Sequence, residues 1–275
     1  MISRTKKYLG DMKAGFAIAL IGLLMLGGCA GVPEDPADRE AYYEANDPIE
    51  PFNRAVFSFN RGLDAVFFKP IAAIYRDTVP DALRDGIHNF LNNLKSPVIL
   101  ANNLLQGDLQ GAKVTVSRFA TNTVAGFGGF GDPAGDLGAK YRGEDFGQTL
   151  AVWGLGEGPY LMLPIFGPSN PRDASGMVVD SLIDPVTMWA DNTDRNAIPI
   201  GRIIVRGLDE RSRFIKTLDD LEKSSLDFYV TIRSLYRQLR ADAIRNGASD
   251  DPIPTPSISL EEDESLLGPR AELVK

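Results

Sequence analysis

The sequence predicts an all-α protein, and three observations predict it. No stretch alternates apolar and polar residues over the length a strand requires. Helix-start signals recur ahead of apolar residues at helical spacing. Glycine and proline, 27 and 18 of the 275 residues, cut those periodic segments short. The expected body is therefore many short helices, with two longer amphipathic ones near the C-terminus. At roughly 200 residues it is large enough for one domain with a sizeable core.

The elements follow in order. Asp47-Pro48-Ile49-Glu50 has the form of a helix start, with Asp47 as cap and Glu50 at capping-box spacing. Phe52, Val56, Phe59, Leu63, Val66 and Phe67 then recur at helical spacing, and Phe57 and Phe68 widen the stripe beyond one face. Such a helix suits a buried core, or a position between core and lipid. Pro70 opens a second short helix that stops before Pro80. A third runs from Asp81 through Leu94, and PVILANNLLQGD and QGAKVTVSRFATNTVAGF read as two more. Asp145 with Gln148 gives another capping box, with Phe146, Leu150 and Trp153 on one face and Gly154 as the stop. Four prolines prevent a long helix in GPYLMLPIFGPSNP, and Asp173 is placed to cap a helix carrying Met177, Val178 and Leu182. Two long charged amphipathic helices fill residues 201–247, the second through Phe228, Ile232, Leu235 and Leu239.

Residues 126–176 stand apart. They hold thirteen of the 27 glycines, and between Phe146 and Pro171 the one charged side chain is Glu157. Glycine surrenders the most backbone entropy, so a cluster implies conformations or close approaches that a Cβ would block. A surface loop is ordinarily polar, because water must satisfy its backbone groups. An apolar, breaker-rich stretch is either a set of turns packed under helices or the wall of an apolar passage.

The amino terminus bears on that choice. Arg4, Lys6, Lys7 and Lys13 precede an uncharged run from Ala14 to Gly27. Fourteen residues make a helix of about 21 Å, too short for a hydrocarbon core of about 30 Å. A basic start, a short apolar run and small residues describe a secretory signal peptide. Leu26-Gly27-Gly28-Cys29 resembles the lipobox of bacterial lipoproteins, in which the cysteine is acylated and becomes the first mature residue. Cys29 is the sole cysteine, so no intramolecular disulfide is possible. Ala30 follows it, which by the sorting rule of such lipoproteins directs the chain to the outer membrane.

Charge divides the mature chain. Its net charge is −11, with −6 in residues 34–50 and −5 in 248–275, so residues 51–247 balance. The divisions expected are a signal peptide (1–28), an acidic spacer (29–45), the helical domain (46–247) and an acidic, proline-containing tail (248–275) of the kind that does not offset its ordering entropy. A neutral body on an acidic chain excludes a nucleic-acid binder, since phosphate contacts need a basic face. His88, the single histidine, cannot make a zinc site alone, and no Gly-x-Ser-x-Gly elbow occurs. Neither an enzyme nor a cofactor is expected.

Many short motifs in order carry a family resemblance. They include Asp47-Pro48-Ile49-Glu50 with Phe52-Asn53-Arg54, Asn89-Phe90, Asn92-Asn93-Leu94, Gln106-Gly107-Asp108, Gly128-Gly129-Phe130 and Asp132-Pro133-Ala134-Gly135. Glu144-Asp145-Phe146-Gly147-Gln148-Thr149-Leu150, Gly158-Pro159-Tyr160, Leu163-Pro164, Gly167-Pro168-Ser169 and Arg172-Asp173 continue it. Across about 46–235 the chain resembles the MlaA (VacJ) lipoproteins. That resemblance implies a helical ring embedded in the inner leaflet of the outer membrane, around an amphipathic channel that removes mislocalised phospholipids from the outer leaflet. It also implies trimeric porins as partners and a soluble periplasmic carrier that receives the lipid. On this reading Gly126, Gly128, Gly129, Phe130, Gly158, Pro159, Tyr160, Leu163, Pro164 and Gly167 line or gate the channel. Arg172, Asp173 and Asp180 then form its polar mouth. The alternative is an anchored scaffold that binds porins without a lipid path of its own.

Overall fold

The computed structural model describes residues 47–246, so the leader, Cys29, the acidic spacer and the tail lie outside the described residues. The elements are α1 (Glu50–Leu63), a π-helical turn (Asp64–Phe68), α2 (Lys69–Thr78), α3 (Asp81–Gln106), α4 (Leu109–Val124) and α5 (Pro133–Asp136). They continue with α6 (Phe146–Val152), β1 (Leu161–Leu163), β2 (Gly167–Ser169), α7 (Pro171–Ile183) and α8 (Pro185–Asn192). Last come α9 (Ala197–Arg213), α10 (Ile215–Ser224) and α11 (Phe228–Ile244). The all-α expectation holds, apart from one antiparallel hairpin that pairs Leu161 with Ser169 and Leu163 with Gly167. At three residues a strand, it is too short to leave an alternating signature.

Pro70 does open a short helix, lying in the first turn of α2, but that helix is not set apart from α1, because the chain runs on through the π turn, where the Lys69 amide reaches back to the Asp64 carbonyl. That wider turn absorbs the register around a residue with no N–H to give. Pro97 likewise lies inside α3, so two expected helices are one of 26 residues. The C-terminal region holds three helices rather than two, broken at Phe214 and again before Asp227, which caps α11. Two expected caps also differ. Asn170, not Asp173, caps α7, and Asp47 caps nothing. Its carboxylate instead takes hydrogen bonds from Asn53 (2.7 Å), Arg233 (2.8 Å) and the Tyr229 hydroxyl, tying α1 to α11.

The packing runs in a closed circuit: α3 against α6, α6 against α7, α7 against α8, α8 against α9, and α9 back against α3. α4 braces α3 and carries α5, α2 lies along α9, and α1 holds the hairpin. Small residues let these backbones approach closely. A Cβ on Gly176 of α7 would sit 2.8 Å from the Gly147 Cα of α6, the kind of contact that packs helices where apolar burial supplies no drive.

Beside a small apolar core of Tyr160, Met162 and Tyr229, the body buries many polar groups and exposes many apolar ones. Asn53, Asn102, Asn103, Glu144, Gln148, Thr149, Asn170, Arg172 and Asp173 are all buried. Phe59, Val66, Phe67, Ile74, Val124, Phe127, Leu137, Phe166, Leu182, Ile200 and Leu226 are all exposed. On α6 the expected apolar face of Phe146, Leu150 and Trp153 is not the buried one; Gly147, Gln148 and Thr149 are. Scattered exposed apolar residues are ordinary, but apolar side chains around nearly every element, over a polar interior, are not. Among the described residues no helix is long and apolar enough to cross a membrane.

Candidate functional site: a polar passage inside the helical circuit

Two kinds of polar cluster occupy the interior. The first is closed. At the N-terminus of α7, the Asp173 carboxylate accepts from Arg240 (2.9 Å), Arg172 (2.9 Å), Asn170 (2.9 Å) and the Tyr236 hydroxyl (2.6 Å). Arg240 also forks onto both oxygens of Asp145 at 2.6 and 2.7 Å, while Asp145 caps α6 through the Gln148 amide. One guanidinium thus locks α6, α7 and α11 together. Burial pushes the Asp145 carboxyl up, but the Arg240 hydrogen bonds outweigh it, with Coulombic pull and Gln148 assisting, and hold it well below the usual range. Asp173 is lowered for the same reason, against its own burial.

The second cluster is open. A cavity of about 410 Å³ lies between α3, α4 and residues 138–142, lined by Ser96, Ile99, Thr115, Arg118, Tyr141 and Arg142 among others. Its volume lies in the range of small-molecule sites, ~300–1,000 Å³. Tyr141 keeps 39 % of its surface exposed, yet desolvation by the surrounding protein raises its pKa. Lys95, one position before Ser96, has the same double character. It is half-buried, and desolvation lowers its pKa against the opposing charges of Asp145, Asp180 and Glu210. Arg206 and Glu210 of α9 are charges that both Lys95 and Tyr141 sense, so this part of α9 stands near both side chains.

The residues singled out from sequence fall in three places. Gly126, Gly128, Gly129 and Phe130 form a turn clamped on α3. Phe130 stacks on Phe90 at 4.8 Å, and Asn93 reaches the Gly128 carbonyl at 3.4 Å. Gly129 has φ of 100°, and a Cβ there would lie 2.5 Å from the Asn93 Cβ, whereas Gly128 (φ 75°) faces open space. Gly158, Pro159, Tyr160, Leu163, Pro164 and Gly167 build the hairpin, which α1 holds through Asn53 to the Tyr160 carbonyl (3.0 Å) and Asn60 to the Leu163 carbonyl (2.9 Å). Arg172 and Asp173 belong to the closed lock. Asp180 lies apart from them, accepting from Asn102 (2.9 Å) and the Phe146 amide (3.1 Å), and burial raises its carboxyl against those bonds and against Lys95.

Sequence reading missed Lys95, Tyr141, Arg206 and Glu210. A lone lysine in LNNLKSP and charges on an amphipathic helix carry no local mark. Only the closure of the circuit brings them to one space.

The described residues thus form a circuit of helices with exposed apolar flanks and many buried polar and charged groups. Comparison with known proteins places it further. Residues 45–243 match the MlaA lipoprotein family, and the chain belongs to that family. It is 35 % identical over 257 residues to the intermembrane phospholipid transport system lipoprotein MlaA of Shigella flexneri, covering 92 % of this chain and 97 % of that protein. The protein of the same name from Haemophilus influenzae is 32 % identical over 80 % of this chain and 86 % of its own length. A solved structure described as the structural basis for maintenance of bacterial outer membrane lipid asymmetry is also similar. It superposes with a TM-score of 0.64 at 34 % identity, over 72 % of this chain and 98 % of that one.

Proposed function

We propose that this chain is an outer-membrane lipoprotein that removes mislocalised phospholipids from the outer leaflet and passes them toward the periplasm. Cys29 carries the anchoring lipid, and the apolar flanks seat the body in the inner leaflet. The observation that carries this reading is the burial of many polar and charged groups beneath exposed apolar ones, in a family whose relatives are named for intermembrane phospholipid transport. Two acyl chains hold roughly 30 methylenes at ~0.8 kcal/mol each, so releasing a phospholipid into water costs on the order of 24 kcal/mol. A carrier of such a molecule needs apolar surface for the chains and a polar path for the headgroup. The body has both, on opposite sides of the same helices.

On this reading the headgroup follows the interior bounded by Lys95, Tyr141, Arg206 and Asp180, while the acyl chains stay on the apolar side. The glycine turn at 126–130 and the hairpin at 158–167 gate the passage by setting where α3 and α1 stand, and Arg172 and Asp173 fix its polar end through α7. Trimeric porins surround the body and a soluble periplasmic carrier accepts the lipid, as the family resemblance implies. No catalytic step is required.

The test is the phospholipid content of the outer leaflet in a clean deletion strain. Accumulated outer-leaflet phospholipid and raised detergent sensitivity, reversed by the intact gene, are expected. An unchanged outer leaflet would contradict the reading and favour the anchored scaffold.

A further inference from the structure

We propose that the tip of the hairpin, Pro164-Ile165-Phe166, is a membrane-inserting element whose side chains stand among the acyl chains of the leaflet. The inference rests on the membrane seating proposed above and deepens it.

The tip is presented rather than packed. No charged residue lies between Gly158 and Asn170. At the base of the hairpin Tyr160, Leu161, Met162 and Ser169 are buried, whereas Ile165 and Phe166 each keep 63 % of their surface exposed. Ile165 also holds a φ of 70°, a left-handed backbone that is costly for a β-branched residue. A turn that only reversed the chain would place glycine there. Such strain persists where the surroundings impose it, and it clusters at functional elements. Here Asn60 of α1 imposes it. Its side-chain oxygen accepts from the Ile165 amide at 2.8 Å, and its side-chain amide donates to the Leu163 carbonyl at 2.9 Å.

The backbone of the tip suits hydrocarbon. Away from water, backbone donors and strand edges must find partners within the protein. Pro164 has no N–H, Ile165 gives its own to Asn60, and Phe166 donates to the Pro164 carbonyl at 2.8 Å. The edge of β1 away from β2 is closed as well. Asn53, two turns before Asn60, accepts from the Met162 amide (2.9 Å) and donates to the Tyr160 carbonyl (3.0 Å). Two asparagines thus stand in for a third strand. The apolar surface continues onto α1, where Phe52 and Phe59, each one residue before an asparagine of this pair, are exposed.

The place of the anchor commits the tip to lipid rather than to a soluble protein. Asn53 also donates to Asp47, the first described residue, at 2.7 Å, so the chain enters the body at the base of the hairpin. Seventeen residues separate Asp47 from Cys29, a reach of at most about 60 Å. A hairpin tethered this closely to an acylated cysteine is held beside a bilayer.

The experiment uses the full-length lipidated protein in vesicles of phosphatidylethanolamine and phosphatidylglycerol. Cys29 is the sole cysteine and its sulfur carries the lipid, so Phe166→Cys supplies one free thiol for an environment-sensitive fluorophore. The tip label should shift to the blue and lose most of its emission to chain-brominated lipid, with little loss to aqueous iodide. Leu182→Cys, on the exposed flank of α7, should behave alike, and Lys216→Cys, exposed on α10, should show the reverse. Asn60→Ala releases Ile165 from its strained backbone, so the tip label should lose part of its quenching by brominated lipid while the Leu182 label keeps its own. A tip label quenched by iodide alone, beside a Leu182 label in lipid, would overturn the assignment, leave the membrane seating intact and give the tip to a protein partner. Both labels in water would overturn both. Full quenching retained in Asn60→Ala would overturn the asparagine clamp as the device that presents the tip.

Discussion

The lock at Arg240 and the passage wall at Lys95 are built from similar residues to opposite ends. In the lock both acids are paired, since Asp145 and Asp173 share one guanidinium and Asn170, Arg172 and Tyr236 add to the shell, although the buried Arg172 Nη2 finds no hydrogen-bond partner there. At the wall, acids and a cation stand within reach of each other's fields, and Lys95 remains unpaired among the described residues. In a body whose outer surface is apolar, helices gain little by burying more apolar area against each other, so satisfied polar contacts and glycine approaches hold them.

That contrast predicts a graded set of effects. Arg240→Ala should be the most damaging, because it takes a cation from the buried Asp173 and the half-buried Asp145 at once; a loss of ~3 kcal/mol is expected in detergent unfolding. Stability close to wild type would mean that the lock is not what joins α6, α7 and α11. Gly129→Val should cost a few kcal/mol, combining a positive φ with a clash on Asn93, and its abundance should fall. Gly128→Ala, with the same hand of backbone but open space, should cost only ~1 kcal/mol. Equal losses at both glycines would remove Asn93 from the explanation.

Acid should separate the two clusters in a smaller way. Asp145 and Asp173 are held below their unfolded values, so their contribution is complete above the unfolded carboxylate pKa of ~3.9 and is lost as pH falls through the folded value. Asp180 and Glu144 are raised, chiefly by burial, so protonating them relieves a cost as pH falls through their folded values. The unfolding midpoint should hold or rise slightly on mild acidification, then drop below about pH 4. Asp145→Asn should blunt that drop, and a drop of wild-type size in this variant would locate the acid-labile contact elsewhere.

Much of the fold was legible because its signals are local. The Asp145–Gln148 cap, the stop at Gly154 and the proline positions all act within a turn or two. What failed was anything decided at long range. Asp47 reads as a cap, but its partners Tyr229 and Arg233 lie more than 180 residues away. Pro70 and Pro97 read as breaks, yet a π turn and neighbouring helices carry the chain through them. Phe146, Leu150 and Trp153 read as one apolar face, but burial on this helix is decided by its packing on α3 and α7, which covers Gly147, Gln148 and Thr149 instead. Arg172 and Asp173 were conspicuous in sequence, whereas Lys95 and Tyr141 needed the closed circuit to be seen.

The central claim is that lipid passes through the interior of the circuit, and plugging it is the most direct test. Ala139 lines the cavity, and its backbone carbonyl, not its methyl, is what Arg118 grips. Ala139→Trp should therefore fill the space while leaving the lock and the anchor untouched. Outer-leaflet phospholipid, normalised to the amount of anchored and folded protein, is the quantity to measure. The account predicts accumulation at the level of a deletion strain. Normal removal per molecule in the plugged variant would contradict it.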